Sequence, residues 1–221
     1  MTTVQTSDQI SIKSRIKANP FLKRIALRML APKNEYRPRV WVKWVLNPLK
    51  HKRGKGSVIR NNTRTDLFPY NNFSIGEFAI IEDFTTINNA VGDVTIGDKT
   101  IVGIGSVIIG PVSIGNNVMI AQNIVISGLN HGYEDVNLPP SEQDVTCNPI
   151  IISDNVWIGA NSVITAGVTL GKHCVIGAGS IVTKNVPAYS VAVGNPARVI
   201  KRYNSLNKIW EHQNQQNQPN A

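Results

Sequence analysis

At 221 residues, 42% hydrophobic and with a formal net charge of +9, the chain is long enough for one domain with a sizeable core plus an appendage. No apolar run approaches the roughly 18 residues of a membrane span, the polar residues 1–9 lack the apolar stretch of a signal peptide, and Cys147 and Cys174 give neither a disulfide framework nor metal-ligand spacing. A cytoplasmic location and no metal are the expectations. The charge is uneven: residues 1–60 hold 15 Lys/Arg against Asp8 and Glu35, and the remainder holds 8 against 12 Asp/Glu.

Residues 1–9 read as a frayed terminus. A helical pattern over 10–30, interrupted at Pro20, then sets Phe21, Leu22, Ile25, Met29 and Leu30 opposite Lys23, Arg24 and Arg28. Val40 to Leu46, with Trp41 and Trp44, is a second apolar piece that Asn47-Pro48 should stop. Residues 1–60 are expected to form a basic helical segment. It either caps the open end of the repeat domain that begins near residue 61 or contacts anionic lipid at the inner face of the membrane, and both roles can hold together. No nucleic-acid-binding motif accompanies the charge. Arg64 to Tyr70 reads as an irregular partial coil.

A repeat then dominates. Ile75, Ile81 and Ile87 stand six residues apart, as do Ile96 through Ile126 and Ile152 through Val182, giving fifteen branched aliphatics. Small or β-branched residues such as Ala79, Ser106, Val118, Ser162 and Ser180 lie four residues after them. A period of six fits neither a helix nor a simple alternating strand; it predicts a solenoid of short strands, three to a triangular coil. The fifteen positions make five coils, within a domain over 61–202. Ile87 to Ile96 is nine residues and Ile126 to Ile152 is twenty-six, and both excesses fall at the same corner. A loop within 128–149 therefore leaves the rod on the edge that carries a smaller bulge at Asn88-Asn89-Ala90. Loops on rigid scaffolds commonly carry chemistry.

With these repeats and the run from Trp157 to Arg198, the sequence resembles the hexapeptide-repeat acyltransferases over about three fifths of its length, from Ile75 to Arg202. Colanic-acid-type surface-polysaccharide enzymes and the maltose and galactoside O-acetyltransferases are the nearest in character. The resemblance implies an all-β, left-handed parallel β-helix; parallel crossovers are otherwise nearly always right-handed. It also implies homotrimers and acetyl-CoA as co-substrate. His131, in Asn130-His131-Gly132-Tyr133, matches the catalytic loop histidine of such enzymes. Neutral imidazole can take a hydroxyl proton during attack on a thioester, and Glu134, Glu142 and Asp144 are candidates to orient it. Trp157, Ala160, Ala178, Thr183, Lys184, Arg198 and Lys201 match the donor-binding region, with Lys and Arg suited to phosphates.

The asparagine that binds acceptor in the disaccharide enzymes is missing from Thr100 to Gly105. Asn88 and Asn89, with Asn130 and Tyr133 of the loop, are the candidates to replace it. The activity expected is acetyl transfer to a sugar hydroxyl in surface-polysaccharide synthesis. N-acylation of an amino sugar and a non-catalytic scaffold are the alternatives. A zinc enzyme on the same solenoid would need more histidines than His131 and His173. Residues 203–221 are expected to form a short helix from Ser205 to Trp210 and a polar tail.

Overall fold

The computed structural model describes residues 18–33, 35 and 37–213, so the expectations placed on residues 1–17 and on the tail from 214 onward lie outside it. From Lys52 the chain winds into a β-helix of three parallel strand ladders. Sheet A stacks Lys52–Arg53, Phe73–Ile75, Val94–Ile96, Val112–Ile114, Ile150–Ile152 and Thr169–Leu170. Sheet B stacks Val58–Ile59, Ile80–Ile81, Ile101–Val102, Met119–Ile120, Trp157–Ile158, Val175–Ile176 and Ser190–Gly194. Sheet C stacks Arg64–Asp66, Thr86–Asn88, Val107–Ile109, Val125–Ser127, Val163–Ile164 and Ile181–Val182.

All fifteen repeat aliphatics are 3% exposed or less and form one continuous core. Buried beside them are the small residues of the pattern, Ala79, Ser106, Ser162 and Ser180. Size is restricted there because the corners are tight. Ser162 and Ser180 both donate their hydroxyls to Gly177 O, at 3.1 and 2.6 Å, which satisfies polar atoms cut off from water. The corner between sheets A and B turns through left-handed residues stacked in a column, Lys99, Asn117, Asn155 and His173, with φ between 53° and 60°. Asparagine tolerates that conformation better than most residues. Carboxylate and amide oxygens run up the same corner. Asn116 Oδ1 accepts from Asp98 N, and Asp154 Oδ1 accepts from Asn116 N, each at 2.7 Å.

Four expectations are corrected. The β-helix has six coils, not five, because residues 52–66 form a regular first coil; the domain begins at Lys52, inside the segment assigned to 1–60, and Arg64–Asp66 is an ordinary strand of sheet C. Asn47-Pro48 does not stop the second apolar piece. A π-helical turn, Val42–Leu46, runs straight into a short α-helix, Asn47–Lys50, and Pro48 stands in the first turn of that second piece, where a missing N–H is tolerated. Among the described residues only this helix works as the cap: Val42 and Asn47 are buried, and Asn47 Nδ2 donates to Leu67 O at 2.9 Å. The preceding helix, α1 (Pro20–Leu30), starts at Pro20 behind an Asn19 N-cap and buries none of its residues. Lastly, Ser205 to Trp210 is not helical. Ala197–Asn204 and Ile209–His212 are antiparallel strands that fold back on Ser190–Gly194 and close the C-terminal end of sheet B.

Candidate functional site

The loop leaves where sheet C hands over to sheet A, and its stems are fixed there. Gly128 N donates to Ile109 O and Asn148 N donates to Gly128 O, both at 2.9 Å. A Cβ on Gly128 would come within 2.7 Å of Pro111 O, so the exit closes only around glycine. Beyond it Leu129–His131 pairs antiparallel with Val145–Cys147, with His131 opposite Val145. His131 therefore stands on a two-stranded arm rather than on an irregular excursion. The tip is tied by Gln143, a residue that no feature of residue type or spacing singles out. Its amide oxygen accepts from Asp135 N, and its nitrogen donates to Asp135 O and Leu138 O at 2.9 and 2.8 Å.

Arm and tip enclose an open hollow of about 960 Å³. It collects His131 with Asn130, Tyr133, Glu134, Glu142 and Asp144, so six of the residues singled out in the sequence line one surface. His131 is exposed, and among the described residues no hydrogen bond joins it to a carboxylate. Glu134 is turned toward its own backbone: the Tyr133 N–H, donated to Oε2 at 2.9 Å, holds that carboxyl below its ordinary value. An exposed carboxyl with a depressed pKa stays ionised at neutral pH.

Asn88 and Asn89 do not join this set. Asn89 is fully buried, with Oδ1 accepting from Phe68 N at 2.7 Å and Nδ2 donating to Phe68 O and Asn71 O at 3.1 and 3.2 Å. Asn88 Oδ1 accepts from Ala90 N at 2.7 Å. Asn89 is spent on holding the three-residue bulge and Asn88 braces it through its oxygen, a structural demand that residue spacing alone does not reveal.

The donor-region residues fall on two corners. Ala160 and Ala178 stack at the corner between sheets B and C, where Gly179 N donates to Ala160 O at 2.8 Å. A Cβ placed on Gly179 would meet nothing within 4 Å, so the surface beside Ala178 is open. The hairpin tip carrying Arg198 hangs at that corner, held by Gly194 N donating to Ser180 Oγ at 3.1 Å. Thr183 and Lys184 occupy the other end of sheet C, on the edge where the loop departs two coils below. Between the corners lies the outer face of sheet C, where Val163 pairs with Ile181, roughly 10 Å across. Trp157 stands 50% exposed on sheet B, between Met119 and Val175 in register. Lys201 is half-buried opposite Val191.

The outward columns differ between faces. Sheet A presents Ser74, Thr95 and Ser113 in register, with Thr95 Oγ1 3.1 Å from Ser113 Oγ. Sheet B presents Ile101, Met119 and Trp157, which are 42, 52 and 50% exposed.

Residues 93–127 and 149–184 match the family model described as the hexapeptide repeat of succinyl-transferase, on either side of the loop. The hexapeptide period therefore continues on both sides of the loop. The chain is 45% identical over 105 residues to the galactoside O-acetyltransferase of Escherichia coli, covering 45% of this chain and 48% of that one. It is 34% identical over 107 residues to an E. coli protein named for O-acetyl transfer in lipopolysaccharide biosynthesis, covering 45% and 55%. The matches thus span about half the length of these relatives. Among solved structures, AntD, an N-acyltransferase of Bacillus cereus in complex with dTDP and 3-hydroxybutyryl-CoA, superposes with a TM-score of 0.61 at 23% identity over 72% of this chain and 87% of that one. That likeness concerns the fold. No described helix is long and apolar enough to cross a membrane.

Proposed function

We propose that this hexapeptide-repeat chain is an O-acetyltransferase that moves an acetyl group from acetyl-CoA to a sugar hydroxyl, with His131 as general base. The observation that carries the reading is the placement of His131: it stands on a braced arm, over a polar hollow, on the same edge of the rod as Lys184. His131 would accept the hydroxyl proton as the sugar oxygen forms its bond to the thioester carbonyl carbon, and would return that proton to the departing thiolate. Asn130 and Tyr133, exposed in the hollow, are the groups placed to bind acceptor hydroxyls. The strip between Ala178 and Lys184 fits a thin, flexible donor arm, since it is open, apolar at Val163 and Ile181, and flanked by Lys184 and Arg198 for phosphates.

Trimerisation is part of the proposal. The apolar column on sheet B is exposed in one chain, which favours burial against neighbouring copies, and a neighbour there would border the donor strip at the corner between sheets B and C. A neighbour is also the natural source of a group to orient His131. Similarity to the lipopolysaccharide relative supports a role in surface-polysaccharide synthesis, and with it a site of action inside the cell at the membrane's inner face.

The deciding experiment is calorimetry with acetyl-CoA followed by turnover with sugar acceptors. Wild type should bind the donor, and Lys184→Ala/Arg198→Ala should weaken binding about tenfold or more, near 1.4 kcal/mol. His131→Ala should keep donor binding and lose turnover; unaltered turnover overturns its role. A product stable to alkali would replace the ester with an amide.

A further inference from the structure

Among the described residues the N-terminal helix contributes no buried side chain. The cap is made by the helix from Val42 to Lys50, and α1 adds no buried side chain to it: Phe21 and Met29 are 68 and 59% exposed, as is, at 78%, Trp44 on the outer side of the capping helix. Yet α1 is not loosely placed. Arg39 N donates to Leu30 O at 2.8 Å and Arg39 Nε to Arg28 O at 3.2 Å, which fixes it against the capping helix. Between the two lies a hollow of about 560 Å³ lined by Ile25, Met29 and Trp41, with Arg28 and Arg39 at its side.

Charge selects the occupant. Residues 18–60 hold 12 Lys/Arg against Glu35 alone, whereas the rest of the chain carries an excess of acid. A second copy of this face would bring like charge against like. We propose that α1 and the Trp41–Trp44 segment form a docking surface for an anionic phospholipid bilayer. Apolar side chains and indole rings enter the interface while Lys23, Arg24, Arg28 and Arg39 meet lipid phosphates. The same asymmetry orients the molecule. An anionic surface attracts the first-coil end and repels the acidic remainder, so the rod stands on its N-terminal end.

The test is sedimentation of the full chain with vesicles of phosphatidylcholine alone and of phosphatidylcholine mixed with phosphatidylglycerol. The mixed vesicles should take up the protein at least about tenfold better at low salt, and added salt should release it. Lys23→Glu/Arg24→Glu and Phe21→Ser/Trp44→Ser alter only exposed side chains. Each pair should reduce uptake about tenfold or more while thermal unfolding and acetyl-CoA binding stay unchanged. Indole emission should shift to the blue on mixed vesicles, and Trp44→Phe should diminish that shift. Equal uptake by wild type and both variants overturns the proposal. So does tighter binding to a random-sequence oligonucleotide than to the mixed vesicles, or a fall in oligomeric mass caused by the charge pair, which would reassign the face to nucleic acid or to another copy. Donor binding is read separately, so the bilayer proposal and the acetyl-transfer reading fail independently.

Discussion

Asn89 has no side-chain atom left for a ligand: its amide oxygen holds Phe68 N, and its amide nitrogen is shared between Phe68 O and Asn71 O. Asn89→Ala strands the buried Phe68 N–H and takes a donor from Phe68 O and from the half-buried Asn71 O, and should lower unfolding free energy by about 2 kcal/mol in denaturant titration. Asn88→Ala removes one half-buried contact to Ala90 N and should cost about 1 kcal/mol or less. His51 makes a different prediction. Burial, and secondarily the charge of Lys50, lower its pKa from the ordinary 6.5; its ring meets Phe73 edge-on at 6.0 Å. The unfolded chain then binds the proton more readily than the folded one. Stability is full above the ordinary histidine value and falls as pH drops below it toward the folded pKa. In urea titrations at several pH values, His51→Gln should flatten this slope relative to wild type.

At the scale of elements, the loop is a two-stranded arm with a tied tip, and Gln143 carries the tie. Gln143→Ala should raise amide exchange across residues 133–138 about tenfold, with exchange in the coils unchanged. On the acetyl-transfer reading, turnover should drop while donor binding holds. The loop's exit was legible from the twenty-six-residue gap in the period. The arm was not, because Leu129–His131 and Val145–Cys147 are short, polar in part, and exposed, so they lack the alternation that marks a strand packed on a core. The two N-terminal helical pieces were visible in their apolar spacing. Which of them caps the rod was not, since that depends on Val42 and Asn47 reaching the first coil.

For the whole molecule, period six carried almost everything between Ile75 and Val182, because each of those positions must fill a slice of the same narrow core. The first coil escaped that reading for a physical reason. The positions in register beneath Ile75, Ile81 and Ile87 are Arg53, Ile59 and Thr65, and only Ile59 is a branched aliphatic. The first coil has a coil on one side only, so its composition is released from the repeat. The last strands escaped it as well, because Ala197–Asn204 and Ile209–His212 pair antiparallel and owe nothing to the coil period.

The reversal of strand direction at the C-terminal end also governs how rods can meet. A stack of identical parallel rungs is an open template, and in principle a second rod could add its own rungs end to end and grow a filament. Sheet B terminates in a strand, Ile209–His212, that belongs to an antiparallel hairpin, so an incoming parallel rung meets hydrogen-bonding groups out of phase with its own. The helix from Val42 to Lys50 blocks the opposite end by covering it. Among the described residues one end is protected by bulk and, at sheet B, the other by chain polarity, which disfavours end-to-end growth there and leaves the lateral faces for assembly.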